Sequence, residues 1–407
     1  MARLLIVIFF TAISSVSLAD NVVRDAALDK WSESERALID SMLIDHLGPP
    51  PVDASNKFAD NKNAAKLGKK IFNDTRFSAN GKVSCASCHL SDYNFTDKLS
   101  LAEGIGTTTR RSMPAVGMAY QKWFFWDGRK DSSWAQALAP LESPVEHGIS
   151  RTFSTQLIYK HYRNDYLAVF GALAEINIAA LSPQARPDTN DEVAMKQWQA
   201  ISHNGREQIT RVFVNTGKAL AAFVRTIKPA ASAFDDYARA LAVGDKQGLA
   251  SLTPEQTRGL RLFVTKAKCI NCHNGPLLSN GEFHHVGIHD KGETDRGRGA
   301  VIETVALDEF GCLSRWSDAN PNKDCAHVRY LDTRAEKYEG AFKTPSLRNV
   351  SIRSPYMHAG QFATLSEVLF NYRAVSGKLL TDEVFHNDLS DEELGELESF
   401  LNALTSH

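Results

Sequence analysis

The segments Cys85-Ala86-Ser87-Cys88-His89 and Cys269-Ile270-Asn271-Cys272-His273 share the pattern C-x-x-C-H. This pattern is typical of covalent haem attachment, in which two thiols add across the vinyl groups of the porphyrin. The histidine that follows is placed to ligate the iron from one side. The sequence therefore predicts two haem c groups. The attaching thiols are Cys85, Cys88, Cys269 and Cys272, and the axial ligands are His89 and His273.

Structural zinc is the alternative that such cysteine pairs raise. Zinc sites usually bring a second pair within about 12–20 residues of the first. Here the two pairs lie far apart, and a histidine directly follows each of them. Zinc is therefore the weaker interpretation.

A similar helical segment precedes each motif. Gly68–Phe72 and Gly259–Phe263 both have the pattern of a final helical turn with apolar side chains facing the core. The second segment also has a capping box, with Thr253 at the N-cap, Pro254 next and Gln256 at the third position. This repetition indicates that one cytochrome c-like unit has been duplicated.

The rest of the chain favours a mainly α-helical fold with long irregular loops. Helical periodicity covers 157–180 and 198–227, whereas residues 275–345 are rich in Gly, Asp, Asn and Pro. Residues 229–250 have the pattern of a passage between domains. We predict two cytochrome c-like domains, each binding one covalent haem c. Their ranges are 63–228 and 229–407.

The N-terminus has the pattern of a secretory signal peptide over residues 1–19. Arg3 precedes an apolar run, Leu4–Ile13, and small residues lead up to Ala19. The run is shorter than the roughly 20 residues that span a bilayer, so a membrane anchor is the weaker alternative. We expect cleavage after Ala19 and a periplasmic protein.

A leader segment, 20–62, follows the signal peptide. It contains an amphipathic helix from Ser32 onward and then the stiff linker Gly48–Pro51. Cys312 and Cys325 lie outside the haem motifs and close together, so in an oxidising compartment a structural disulfide is favoured over two free thiols. The net charge of −2, with acids and bases interspersed, gives no basis for nucleic-acid binding.

The chemistry of each haem depends on what lies opposite its histidine. An open face admits peroxide, whereas a second strong ligand closes the iron. No histidine lies between His89 and His147, and the apolar surroundings of Met113 and Met118 favour core packing for both. The first haem is therefore expected to have an open or weakly held sixth position.

For the second haem, the segment Thr364–Tyr372 has a helical pattern that begins with a capping box. On periodicity alone, Tyr372 is a core residue of this helix.

Several blocks resemble the bacterial di-haem cytochrome c peroxidase and MauG superfamily, over nearly all of the chain after the signal peptide. The MauG-like branch is more similar, particularly the tryptophan-oxidising enzymes associated with methanobactin operons. The matching blocks are 77–89, Phe125-Trp-Asp-Gly-Arg129, Pro144-Val-Glu-His-Gly148, Thr344-Pro-Ser-Leu-Arg-Asn349 and Pro355-Tyr-Met-His358.

The resemblance implies a role for Tyr372 as distal ligand of the second haem, where the peroxidases have methionine. A ferric ion favours the phenolate, whose anionic oxygen stabilises high oxidation states. Met357 is the alternative ligand. The distal histidine of the peroxidases is missing, so the first haem should react with peroxide without reductive activation.

The resemblance also assigns the surroundings of the first haem. Glu146 matches an acid–base carboxylate that helps to break the O–O bond, with a solvated loop carboxylate as the alternative. Pro140 matches a residue of the pocket wall, and Gln136 is a further candidate for hydrogen bonding there. Trp126 matches the tryptophan that carries charge between the haems, although an ordinary buried interface tryptophan would look the same in sequence.

A calcium ion between the haems is also implied. In the family, its ligands are an asparagine side chain and two backbone carbonyls. The carbonyls map to Arg353 and Pro355, but the asparagine position is Ser112, a weaker donor. Calcium is therefore expected in an altered, more hydrated site.

The leading hypothesis is a MauG-like oxidoreductase that reacts with hydrogen peroxide. It would form a high-valent state of the bis-Fe(IV) type and oxidise a tryptophan or tyrosine of a partner protein over a distance. The alternative is a cytochrome c peroxidase that reduces peroxide to water with electrons from a small cytochrome or copper protein. A non-enzymatic di-haem electron carrier is the third hypothesis, and it would need strong sixth ligands on both irons.

Overall fold

The computed structural model describes residues 27–173, 175–288, 294–375 and 388–406. The predicted signal peptide and its cleavage site after Ala19 lie outside the described residues. Within the described ranges, no helix combines the length and the apolar character needed to cross a bilayer.

Helices dominate the described ranges, as the sequence predicts, and the β-structure is limited to one short antiparallel ladder. In that ladder Phe283 lies opposite Lys343 and His284 opposite Phe342. The two strands are β1 Phe283–His284 and β2 Phe342–Lys343. The helices are α1 Glu33–Ser41, α2 Lys62–Phe72, α3 Cys85–Cys88, α4 Ser133–Glu142, α5 Arg151–His161, α6 Arg163–Phe170, α7 Glu192–Ala200, α8 His203–Val224, α9 Ala233–Val243, α10 Pro254–Val264, α11 Ala326–Arg329, α12 Leu365–Val375 and α13 Asp391–Asn402.

The first hydrophobic core is built around the crossing of α2 and α8, with α4, α5 and α6 packed beside it. Gly68 lies at the crossing, and a Cβ atom there would be only 2.0 Å from the carbonyl oxygen of Ala219. One turn later, the rings of Phe72 and Phe223 meet edge to face at 5.1 Å. Only glycine lets the two helices approach so closely.

The second core repeats this arrangement with α10 and α13. A Cβ atom on Gly259 would be 1.9 Å from the carbonyl oxygen of Glu396. The rings of Phe263 and Phe400 again meet edge to face, at 5.2 Å. The repeat that precedes the two C-x-x-C-H motifs in sequence therefore corresponds to two equivalent helix pairs.

The leader helix α1 packs against the second core rather than against the first, to which it is closer in sequence. It starts at Ser32, as predicted, and the structure adds that Ser32 and Glu35 form a capping box. Ile39 and Met42 are fully buried, and Trp31 donates a hydrogen bond from Nε1 to the hydroxyl of Tyr237 at 2.7 Å.

Two sequence predictions about the helices need correction. Residues 229–250 are not simply a passage between domains, because they contain α9, whose Phe234 and Tyr237 are fully buried in the second core. The helical periodicity assigned to 157–180 ends early. Helix α6 ends at Phe170, and Gly171 then takes a φ of 81°, which no continuing helix adopts.

A third, smaller cluster lies in the loop-rich region before β2. It is held by the disulfide between Cys312 and Cys325, whose Cα atoms are 5.7 Å apart, and it also contains Trp123. Phe310 and Trp316 of the same region reach into the first core.

Candidate functional site

The first C-x-x-C-H motif forms the short helix α3 and ends in an anchored histidine. His89 donates a hydrogen bond from Nδ1 to the carbonyl of Phe95 at 2.8 Å. This bond fixes the ring and leaves Nε2 as the ligating atom. Burial lowers the pKa of His89, so the imidazole is neutral, as a metal ligand must be.

The second motif has the same anchor in a single 3-10 turn, Cys269–Asn271. His273 donates from Nδ1 to the carbonyl of Leu278 at 3.1 Å, and burial lowers the pKa of His273 to about 4. Both acceptor residues have left-handed backbones, with φ of 53° at Phe95 and 52° at Leu278. The same local fold therefore presents both histidines.

The four motif cysteines form no disulfides, in contrast to Cys312 and Cys325. Burial raises the pKa of the Cys85 and Cys269 thiols to about 12, so the unattached side chains are neutral. Across the described ranges, no group of three or more His, Cys, Asp and Glu side chains is arranged to hold a metal ion. Zinc is bound by thiolates that converge on one ion, so zinc stays the weaker interpretation of these cysteine pairs.

The first cavity, of about 520 Å³, contains Cys85, Cys88 and His89 in its wall. Helix α4 contributes Gln136 and Pro140 from successive turns, and the loop after it contributes Glu146. The Glu146 loop is held by its backbone, since the Glu146 carbonyl accepts a hydrogen bond from the Ile105 amide at 3.0 Å. Within the described ranges, no donor engages the Glu146 carboxylate, which is therefore available to a ligand of the cavity.

The two methionines near the first motif have different positions from those expected, and His147 lies beside the motif. Met113 and Met118 line the first cavity instead of packing into a core. The Met113 backbone lies beside the His89 ring, on the proximal side. His147 donates from Nδ1 to the Phe77 carbonyl at 2.7 Å, and its Nε2 lies 4.0 Å from Cys85 Sγ. These two contacts hold the His147 ring beside Cys85.

The second cavity is smaller, about 210 Å³, and almost entirely apolar. Cys269, Cys272 and His273 lie in its wall together with Tyr372 and Met357. Helix α12 presents Tyr372 to this cavity, and burial raises the pKa of the phenol in the absence of a metal ion. The structure thus brings together both of the sixth-ligand candidates that the sequence gives.

Trp126 lines both cavities. Its side chain is 9% exposed, and its Nε1 donates a hydrogen bond to the Arg111 carbonyl at 3.1 Å. An indole in this position is in reach of both haem sites.

The residues expected to bind calcium are already committed to other partners. The carbonyl oxygen of Arg353 accepts a hydrogen bond from the Arg111 guanidinium at 2.8 Å, and Ser112 Oγ donates to Asp97 at 2.7 Å. The charge of Arg353 itself lies beside that of Arg111. Because a dication would be repelled by two adjacent guanidinium groups, these residues, with Pro355, do not fit a calcium ion in this arrangement.

Sequence reasoning missed a buried lysine of the second cavity. Lys343 donates from Nζ to the Trp123 carbonyl at 2.8 Å and also to the side chain of Gln121. Burial lowers the pKa of Lys343 to about 7. His358, stacked on Phe342 at 3.8 Å, lines the same cavity. A lysine usually indicates a solvated position, so the only available signal was its place beside the matched block that begins at Thr344.

Comparison with known proteins gives the family. The family model described as di-haem cytochrome c peroxidase matches residues 62–242. The cytochrome-c peroxidase IdrP1 of Denitromonas iodatirespirans is 31% identical over 365 residues, which cover 88% of this chain and 85% of the relative. The chain belongs to the di-haem cytochrome c peroxidase family. The methylamine utilization protein MauG of Methylorubrum extorquens is 29% identical over 83% of this chain and 77% of its own length.

Solved structures share the fold. A MauG-like protein associated with microbial copper homeostasis matches with a TM-score of 0.59 and 23% identity, over 88% of this chain and 93% of its own. The di-haem peroxidase BthA of Burkholderia thailandensis matches with a TM-score of 0.61 and 20% identity, over 87% and 89%.

Membership of the family has two consequences. The chain is a haem-dependent, peroxidase-type oxidoreductase, and its cofactors are haem c groups. Its relatives include both peroxidases and MauG proteins, so the fate of the oxidising equivalents has to be argued from the site itself.

Proposed function

We propose that this chain is a MauG-like enzyme that takes two oxidising equivalents from hydrogen peroxide and uses them to oxidise a residue of a partner protein. The supporting observation is the inequality of the two cavities. The first is roomy and contains a free carboxylate, whereas the second is small, apolar and lined by a phenol. Trp126 lies against both.

When bound at Cys85, Cys88 and His89, a haem would supply an iron for the reaction with peroxide, and a haem in the second cavity would supply a second redox centre. Glu146 then has a defined task. Its carboxylate takes the proton from the peroxide oxygen nearer the iron and delivers it to the farther oxygen, so that the O–O bond breaks with water as the leaving group. Pro140 shapes the wall, and the Gln136 amide is positioned to hydrogen-bond the peroxide.

We propose that Tyr372, together with His273, would hold the iron of a haem in the second cavity. The neutral phenol is favoured in the apolar cavity without metal, but the positive charge of ferric iron favours the phenolate. An anionic oxygen ligand stabilises higher oxidation states. The second site therefore stores charge, and Trp126 carries electrons between the two sites.

The partner that we propose is a periplasmic protein with an oxidisable tryptophan or tyrosine. Distance is not an obstacle, because electrons and not atoms pass between the protein residue and the haems. The export that this requires rests on the sequence pattern of residues 1–19, with cleavage after Ala19. Because the donors near Ser112 are occupied, we propose that the enzyme works without calcium.

A second candidate function is a cytochrome c peroxidase that returns peroxide to water with electrons from a small redox protein. It is favoured by the 31% identity to a relative named as a peroxidase. The two candidates differ in the fate of the oxidising equivalents. One retains them until a protein residue is oxidised, and the other discharges them rapidly to an electron donor.

Replacement of Tyr372 by phenylalanine tests the proposal. In the holoenzyme we expect Tyr372→Phe to change the visible spectrum of the second haem and to abolish a long-lived near-infrared band of charge shared between the haems after stoichiometric peroxide. Tyr356→Phe is the matched control, because Tyr356 lines the same cavity and its hydroxyl bonds only weakly to the Ser351 carbonyl at 3.4 Å.

Three results would decide against the proposal. An unchanged spectrum in Tyr372→Phe would show that Tyr372 is not a ligand and would turn attention to Met357. Rapid turnover with reduced cytochrome c and no near-infrared band would support the peroxidase alternative. Wholly low-spin haem in the resting enzyme would leave no open iron for peroxide.

A further inference from the structure

Two tryptophans, three positions apart, differ in their electrostatic surroundings. Trp126 lines both haem cavities, whereas Trp123 lies in the small disulfide-containing cluster. Both are almost fully buried, at 9% and 8% exposure. The ring of Trp123 contacts His327 and Phe283 edge to face, at 5.5 and 6.4 Å. Because Trp123 is so close to Trp126 in sequence, it would be the expected electron donor to an oxidised Trp126.

A buried arginine covers Trp123. Arg298 is 1% exposed, and its guanidinium carbon lies 4.4 Å from the Trp123 ring and 3.8 Å from the Phe283 ring. Its hydrogen bonds go to the backbone carbonyls of Asp127 and Gly128, at 3.2 and 3.3 Å. In the described part of the chain, no carboxylate forms an ion pair with it. Burial lowers the pKa of Arg298 only to about 10, so the positive charge remains at neutral pH.

This charge has opposite effects on the two redox states of the indole. A cation above a neutral indole is attracted by the electron-rich ring face. After loss of one electron the indole is itself positive, and the cation at 4.4 Å then repels it in a medium of low dielectric constant. Arg298 therefore makes Trp123 harder to oxidise.

Trp126 lacks such a cover. Within the described ranges, no cationic side chain lies over its ring, and its N–H donates to the Arg111 carbonyl. When an electron leaves this indole, its N–H becomes more acidic and the hydrogen bond to the carbonyl strengthens, which favours the oxidised form. The two tryptophans are thus electrostatically unequal although they are neighbours.

We propose that Arg298 protects Trp123 from oxidation and thereby confines electron transfer to the route through Trp126. Arg298 is thus a positioning residue, which acts through Trp123. The inference rests on the proposed function, in which oxidising equivalents persist long enough to stray. The step that Arg298 opposes is the transfer of one electron from the Trp123 indole to the peroxide-oxidised haems. A second electron and addition of water would convert an indole C–H bond to C–OH, with release of two protons. Peroxide, the terminal oxidant, takes up those two electrons and two protons to give two molecules of water.

The experiment maps oxidation by peptide mass spectrometry after the holoenzyme has been treated with excess hydrogen peroxide. In the native chain we expect Trp123 to remain intact. In Arg298→Met, which removes the charge but keeps the bulk, oxygen addition at Trp123 should rise on the order of tenfold or more, because a unit charge this close has a large effect in a buried site. Arg298→Lys should restore protection, which a loss of packing alone would not explain.

Equal oxidation of Trp123 in the native chain and in Arg298→Met would overturn the proposal. So would Arg298→Lys behaving like Arg298→Met. Because both are substitutions of a buried residue and folding could fail, a second measurement uses Trp123→Phe. This variant should leave the lifetime of the near-infrared band unchanged, and a longer lifetime would show that Trp123 drains charge despite Arg298.

Failure of the proposed function would have a different signature. In that case the near-infrared band would be missing from the native enzyme and from every variant alike. Failure of the Arg298 proposal differs from this, because the native enzyme would then show the band while Trp123 was oxidised equally in the native chain and in Arg298→Met.

Discussion

The two haem-binding units share one scaffold and differ where the sixth ligand belongs. In both, a glycine allows two helices to cross, a phenylalanine pair packs one turn later, and a backbone carbonyl fixes Nδ1 of the axial histidine. The histidine of one unit lines a wide cavity together with Glu146, and that of the other lines a narrower, apolar cavity together with Tyr372. We expect the features common to both units to hold a haem, and the differences to decide what each haem does.

The largest expected effect is on the chemistry of the first site. Glu146→Gln should slow the reaction with peroxide by about 10²–10⁴-fold, which is the usual contribution of a positioned acid–base group. Stopped-flow spectroscopy of the Soret band measures this rate. Tyr372→Phe should leave the same rate within a few fold, since its effect belongs to the other site. Equal slowing by both variants would mean that the reaction with peroxide is not confined to the first site.

Removal of the disulfide tests the third cluster, which belongs to neither of the two larger cores. The double variant Cys312→Ala/Cys325→Ala should lose about 3 kcal/mol of stability, because a cross-link of this loop length restricts the unfolded chain by about that amount. Both haem spectra should remain, since neither cavity is lined by these residues. Thermal unfolding with and without reductant measures the loss, and a disturbed Soret band would show that the third cluster supports a haem directly.

A methyl group added at either helix crossing should destabilise the protein by a similar amount, and each substitution should affect only its own unit. Gly68→Ala and Gly259→Ala each place a methyl group within 2.0 Å of a carbonyl oxygen and should cost about 1–3 kcal/mol or more. We expect Gly68→Ala to disturb only the spectrum of the first haem and Gly259→Ala only that of the second.

Gly395→Ala is the control for these two variants. It lies in α13 with open space around it and should gain about 0.5–1 kcal/mol, because alanine is the better helix former. Destabilisation by Gly395→Ala similar to that of the other two would mean that the crossings are not special.

The smallest expected effect is that of a chelator. Incubation of the holoenzyme with EGTA should change neither the near-infrared band nor the calcium content, which should be well below one ion per chain because the Arg111 guanidinium uses the Arg353 carbonyl. Elemental analysis measures the content. One tightly bound calcium ion, with loss of communication between the haems on its removal, would contradict this prediction.

Local patterns predicted a large part of the molecule. An amphipathic pattern marked the start of α1 and a capping box that of α10, and the repeated segments before the motifs gave the two crossing helices. The motifs also pointed to His89 and His273, which prove to be anchored in the same way by backbone carbonyls. These features succeed because hydrogen bonds and periodicity within a few residues determine them.

Features that depend on distant contacts were not predictable. Helix α9 was missed because its short apolar face acquires meaning only against the second core. Met113 and Met118 were assigned to a core because apolar surroundings in sequence do not distinguish a core from a cavity wall. The buried charges of Lys343 and Arg111 were invisible, since only the fold removes them from water.

The path of the leader has a consequence for how this chain folds. Trp31, Ile39 and Met42 of the leader segment complete the core of the unit that is synthesised last. Contacts between residues so far apart in sequence form slowly. The second core is therefore complete only after α1, which is synthesised early, has packed against the C-terminal helices. A cut after residue 228 would not give two self-sufficient fragments. The C-terminal fragment should recover its stability only when a peptide carrying α1 is added back.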